Sequence, residues 1–286
     1  MATFFGEVVS VYSRAVEEDE EEEEEGEEDA EIRREVQKQR EVHLNWRSEI
    51  AESIESSSDK TFQCSDLVIA VGQNASGFLS AFVLSTGNWD VVGTVTLWNE
   101  RTKGPSQVTN TQLPEESRCV LYRQAACPSV VICQCTYYVA EDQLFQWTEK
   151  VLGSIQRRGL RVLVLSDCSV AEYKTSECIT ASPSPFLRTL KTSEYRDALR
   201  CPLMEQPNIL TGLPAAVLSH CQVHRIPAVV YQCYSDVACP DSLTMEAYRP
   251  ALSCLSSKLG KVDYNPSTEV LRKVVRVSEA QSNLYT

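Results

Sequence analysis

Leu67-Val68-Ile69-Ala70-Val71-Gly72 is the stretch on which the fold turns. Five consecutive apolar residues, with β-branched Val68, Ile69 and Val71 among them, show no polar alternation. That is the pattern of a strand covered on both faces, as in a parallel sheet held between helix layers. Gly72 ends the run, and residues 75–84 read as a helix. Moving outward, residues 91–98, 118–122, 130–137, 161–165 and 228–234 are further strand candidates. Residues 142–157 read as a helix with Leu144, Phe145, Trp147, Val151, Leu152 and Ile155 on a broad apolar face, and Gly159 as its stop. Residues 213–223, with Pro214 near the first turn, and residues 242–255 and 268–277 are the remaining helices of the body. Strands alternating with helices predict an α/β fold, a layered sandwich with a largely parallel central sheet flanked by helices. The Ser/Thr/Pro-rich residues 174–190 read as an irregular loop.

N-terminal to this body the composition changes. Between Glu17 and Glu31 there are 13 acidic residues in 15 positions and no Lys or Arg. The whole chain carries 40 Asp+Glu against 27 Lys+Arg, so outside this tract the protein is formally neutral. With no basic excess to neutralise phosphates, nucleic acid is not a default partner, and a polybasic membrane surface is absent. Like charges at this density repel and bury nothing, so residues 17–31 are expected to be disordered. Ile32, Val36, Trp46, Ile50 and Ile54 then suggest an amphipathic helix reaching to about Ser56. The expected organisation is an N-terminal extension over 1–58, an α/β domain over 59–278, and a flexible tail over 279–286. No segment approaches the roughly 18–20 apolar residues that span a bilayer. Residues 1–10 lack the pattern of a secretory signal. A soluble, intracellular chain is expected, in which the twelve Cys act as small buried hydrophobes.

Patterns that invite an enzymatic reading are incomplete. Gly72-Gln73-Asn74-Ala75-Ser76-Gly77 joins a strand to a helix, but a phosphate-cradling loop needs Lys and then Ser/Thr after the second glycine, where Phe78 and Leu79 stand. Ser76 lacks the Gly-x-Ser-x-Gly setting of a nucleophile elbow. Of the three His, His220 and His224 lie four apart on one helix, without the Glu of a His-Glu-x-x-His site. Cys221 and Cys233 near them lack zinc-site spacing. Cys133 and Cys135 fall on one face of a strand, which suits core packing. Glu141-Asp142 suit a helix N-terminus through capping and the dipole. No catalytic residue, metal ligand or cofactor follows from these patterns. A small-molecule hydrolase or phosphorylase on the same sandwich, motivated by the Gly72 turn, stands as the second reading.

The chain closes on polar Glu279-Ala280-Gln281-Ser282-Asn283 followed by Leu284-Tyr285-Thr286. An apolar residue and a tyrosine just before a carboxylate suit insertion into a pocket: the ring fills apolar space, its hydroxyl finds one partner, and the carboxylate pairs with a Lys or a backbone nest.

That ending resembles the hydrophobic-Tyr-any tail by which proteasome activators and some assembly factors dock between α subunits of the 20S core particle. Internal stretches are similar to the proteasome assembly chaperone family, in the same order along the whole chain. They are Phe4-Phe5-Gly6-Glu7-Val8-Val9, Tyr138-Val139-Ala140-Glu141-Asp142-Gln143, Tyr173-Lys174-Thr175-Ser176-Glu177, Pro185-Phe186-Leu187-Arg188, Glu205-Gln206-Pro207-Asn208-Ile209 and Leu213-Pro214-Ala215-Ala216-Val217-Leu218-Ser219. The resemblance implies a nucleoside-phosphorylase-like sandwich and a non-enzymatic chaperone. It further implies a heterodimer with proteasome assembly chaperone 2 that binds proteasome α subunits, promotes α-ring formation and prevents off-pathway ring dimerisation. Leu284, Tyr285 and Thr286 are the implied partner-binding residues. The implied location is the cytoplasm, with some association with the endoplasmic reticulum.

Overall fold

Alternate residues of strand β2 (Asp66–Val71) fill two different cores, which is why its sequence is apolar throughout. The computed structural model describes residues 27–97, 119–175, 184–236, 241–251, 259 and 262–282. Leu67 and Ile69 join one core with Val131, Cys133, Val164 and Val230. Helices α4 (Leu144–Gly153) and α5 (Gly212–Val223) cover that face through Trp147, Val151, Leu152, Val217 and Cys221. Val68 and Ala70 join the other core with Ile132, Leu165 and Tyr231. There the cover is Phe78, Leu79 and Phe82 of α3 (Gln73–Phe82), with Met245 of α6 (Ser242–Ala247) and Tyr248 just beyond it. Val270, Leu271 and Val274 of α7 (Thr268–Ser282) pack half-buried on the same cluster. Fully burying side chains of this size contributes about 1.5–3 kcal/mol each. These two faces are therefore the main source of stability, and both close on β2.

The sheet has eight described strands: β1 (His43–Trp46), β2, β3 (Trp89–Thr96), β4 (Cys119–Gln124), β5 (Cys127–Cys135), β6 (Arg161–Ser169), β7 (Phe186–Lys191) and β8 (Ala228–Ser235). Their order is β1-β3-β4-β5-β2-β6-β8-β7. The layered α/β sandwich is as expected, but parallel pairing is confined to the centre. Only β5, β2, β6 and β8 run parallel, in registers such as Leu67↔Val131, Leu67↔Val162 and Val162↔Ala228. On both sides the pairings are antiparallel, so the sheet is mixed. At the start of β2 and β6, Arg161 Nη2 lies 2.9 Å from Asp66 Oδ1 and ties two central strands together.

Other expectations are corrected. Residues 31–56 do not form one helix. Helix α1 (Glu27–Gln39) is followed by β1 and by α2 (Ser48–Ser56). The chain divides into a unit up to Arg40 and a body from Glu41, so β1 and α2 belong to the body. β1 pairs with β3, and Trp46 stacks on Phe62 at 4.8 Å. Gly93 of β3 lies beneath it, where a Cβ would stand 2.9 Å from Trp46 Cε3.

Within the first unit, residues 27–31 of the acidic tract are helical rather than disordered. Asp29 stands in the first turn, at the positive end of the helix dipole, and Lys38 in the last, the favourable arrangement at both ends. Residues 17–26 of the tract and the Phe4–Val9 stretch lie outside the described residues. The 174–190 loop contains strand β7. Helix 142–157 ends at Gly153, and Gly159, with φ 79°, turns the chain into β6 instead. No side chain caps α4; Glu141 and Asp142 form a 3-10 turn before it. The last helix runs to Ser282, into the tail expected to be flexible. No described helix is long and apolar enough to cross a membrane.

Candidate functional site

The turn after β2 is the place where the sandwich would hold an anion, because it aims the N-terminus of α3 out of the sheet. Gly72 takes φ 99°, a conformation that side-chain-bearing residues rarely adopt. The space in front of it is already filled. Asp167, near the end of β6, accepts the Asn74 N–H at 2.7 Å on Oδ2 and the Ala75 N–H at 3.1 Å on Oδ1. A Cβ added at Gly72 would sit 2.5 Å from Asp167 Oδ2. The chain's own carboxylate thus occupies the helix terminus that a phosphate would need.

The rest of this cluster is built around the same carboxylate. The buried Tyr248 hydroxyl lies 2.5 Å from Asp167 Oδ1 and 2.7 Å from the Ser166 carbonyl oxygen. A phenol has one proton for these two acceptors. A protonated Asp167 would donate to the phenol oxygen and release the phenol proton to Ser166. Burial pushes the Asp167 carboxyl up to about 6, although the bonds from Tyr248, Asn74 and Ala75 pull it down. Asn74 Oδ1 accepts the Asp241 N–H at 3.3 Å, and Asp241 caps α6 by accepting the Thr244 N–H at 2.6 Å. Ser166 donates to Gln232 from the neighbouring strand. The network locks β6, β8, α3 and α6 together. Ser76, the residue a nucleophilic reading needs, is buried, and its hydroxyl has no partner.

The histidines come together as the helix spacing predicts, with rings 4.3 Å apart. Their sequence neighbours do not join them. Cys221 lies in the core under α4 and α5, and Cys233 in the opposite one. Burial pushes both thiols up to about 12, the range of inert packing residues. Cys133 and Cys135 share one core face as predicted, and Cys119 Sγ stands 2.9 Å from Cys135 Sγ. What the sequence did not reveal is Glu149, on α4, with Oε1 3.1 Å from His220 Nδ1.

Three quoted stretches also meet in space. Arg188 Nε donates to the Tyr173 hydroxyl at 3.0 Å, with the guanidinium 4.8 Å from the centre of the Phe186 ring and its Nη2 3.9 Å from Glu205 Oε1. Asn208 accepts the Lys174 N–H and donates to the Lys174 carbonyl, both at 2.7 Å. Large apolar side chains stay exposed: Phe145 at 73%, Ile209 at 75% and Val223 at 76%. Phe145, placed on the buried face of its helix by the sequence pattern, points to solvent. Leu284, Tyr285 and Thr286 lie outside the described residues.

A family model described as "PAC1: Proteasome assembly chaperone 4" matches residues 1–286. Among curated relatives, "Proteasome assembly chaperone 1" of Xenopus tropicalis is 53% identical over 287 residues, covering 100% of both chains. The protein of that name in Homo sapiens is 49% identical over 292 residues, covering 100% of this chain and 99% of the relative. Among solved structures, Pyrococcus furiosus PbaA, "an archaeal homolog of proteasome-assembly chaperone", aligns with TM-score 0.53 at 12% identity over 85% of this chain and 96% of its own. A Thermoplasma acidophilum protein of unknown function aligns with TM-score 0.55 at 11% identity over 83% and 91%. At such identities these two structures speak for the fold alone.

Proposed function

The chain belongs to the proteasome assembly chaperone family, and from that premise we propose how it acts in the assembly of the 20S proteasome. It pairs with proteasome assembly chaperone 2, and the heterodimer binds α subunits, promotes α-ring formation and prevents off-pathway ring dimerisation. Its tail, Leu284-Tyr285-Thr286, docks in a pocket between α subunits. It works in the cytoplasm, with some association with the endoplasmic reticulum, and without catalysis.

The observation that carries the reading is the full-length match, at about half identity, to relatives named proteasome assembly chaperone 1. Two features of the molecule agree with it. The anion-binding end of α3, which motivated the hydrolase or phosphorylase reading, is filled by Asp167. Exposed Phe145, Ile209 and Val223 are side chains that a protein partner can cover.

Co-expression with proteasome α subunits tests the chaperone role: assembled α rings are expected to increase with this chain and its partner present. Tyr285→Ala, or residues appended after Thr286, should weaken α-ring capture by tenfold or more, the loss expected when an aromatic anchor is removed. Unchanged capture would overturn the tail mechanism while leaving the chaperone role to the ring-yield measurement.

A further inference from the structure

Two helices that cover one face of the sheet bring three nitrogen and oxygen donors to one point. Glu149 lies on α4, His220 in the last turn of α5, and His224 immediately after it. One ligand-capable atom of each lies within 4.8 Å of the others, the one group of three such side chains among the described residues. His220 Nδ1 and Glu149 Oε1 are already 3.1 Å apart. With metal–ligand bonds near 2.0–2.1 Å, tetrahedral coordination puts donors roughly 3.3 Å apart. This pair therefore needs little adjustment, and His224 must close by about 1.5 Å at most.

We propose that Glu149, His220 and His224 form a binding site for a borderline divalent transition-metal ion such as Zn2+, Co2+ or Ni2+, with three protein donors and one open position. The donor set is the mixed imidazole–carboxylate kind that these ions prefer and that Mg2+ and Ca2+, which take oxygen ligands, do not. The His220 side chain is 5% exposed with Nδ1 turned to Glu149, so the surrounding core fixes the position of this donor. The site also stands at the C-terminus of α5, where the helix dipole favours a cation. The occupant now nearest is itself cationic: Arg157 Nη1 is 3.1 Å from His224 Nδ1. A metal must displace this guanidinium, so Arg157 is a competitor.

The test uses the full chain, freed of metal, titrated with Co2+ and with Zn2+. Co2+ should give the weak visible bands of nitrogen and oxygen ligation without the intense near-ultraviolet bands of thiolate ligation, which separates this site from the cysteines. Zn2+ should raise the melting temperature. His224→Gln and Glu149→Gln, at partly exposed positions that leave the core intact, should each weaken Co2+ affinity tenfold or more and abolish the Zn2+ shift. Arg157→Gln should tighten binding several-fold. Thiolate bands, affinity unchanged in the His224→Gln, Glu149→Gln double variant, or no binding at micromolar Co2+ would each overturn the proposal.

Discussion

Gly72 and Asp167 lie far apart in sequence and fill one space. Replacing Gly72 by Ala forces a Cβ into the Asp167 carboxylate at a positive φ. We expect a loss of at least about 2 kcal/mol in chemical denaturation; an unchanged midpoint would contradict the close approach. Asp167 makes a pH prediction. Its folded-state value, about 6, lies above the roughly 3.9 of a free aspartate. The folded state therefore holds a proton that the unfolded state has released. Its stabilising effect is present below about pH 4 and is lost as pH rises through 6, on the order of 2–3 kcal/mol. Asn at 167 mimics the neutral acid, accepting from the α3 amides and donating to the Tyr248 oxygen. Asp167→Asn should flatten the stability profile between pH 4 and 7, and a profile like that of the parent chain would refute the assignment. Only half of this cluster was legible in the sequence. The glycine after an apolar strand announced the turn. The aspartate of β6 and the tyrosine just beyond α6 reach this turn only in the folded chain, as Glu149 reaches the histidines only where α4 lies beside α5, and no local spacing encodes them.

At the scale of elements, the two strands the sequence reading missed are the two edges of the described sheet, β1 and β7. A central strand declares itself because both faces are buried, as in Leu67–Val71. An edge strand has one partner and, in β1, only half-buried or exposed residues, so its apolar positions are few. In β1 they fell at spacings that also fit a helix running on from Ile32 and Val36. In β7 the alternation of buried Leu187 and Thr189 with Phe186, Arg188 and Leu190 was masked by the Ser/Pro-rich run before it. The longer helices were more legible because an apolar stripe repeats over two or more turns, although Phe145 shows that a stripe can carry an exposed member. If β1 is a structural strand of the body, Trp46→Ala should destabilise it by about 2 kcal/mol through the lost stack on Phe62 and the space left over Gly93. Denaturation indistinguishable from the parent would mean that residues 43–46 are an appendage.

For the whole molecule, most of the net charge of −13 belongs to the N-terminal tract, and the body from Glu41 holds 25 Asp+Glu against 22 Lys+Arg. This body has two closed cores, its own carboxylate at the end of α3, and exposed Phe145, Ile209 and Val223 that a protein partner can cover. The acidic tract could speed that contact by attraction to basic surface. Deleting residues 17–26 is then expected to slow association with α subunits at low salt and to have little effect at high salt; an unchanged on-rate would leave it as a spacer. We propose that this chain, with a second chaperone, gathers α subunits into a ring. Native mass spectrometry of the intact chain purified from cells making proteasome α subunits tests it most directly. The account expects one copy of this chain, one second chaperone and a partial or complete α ring in a single complex. The chain recovered alone, or with no α subunit in any complex, would contradict it.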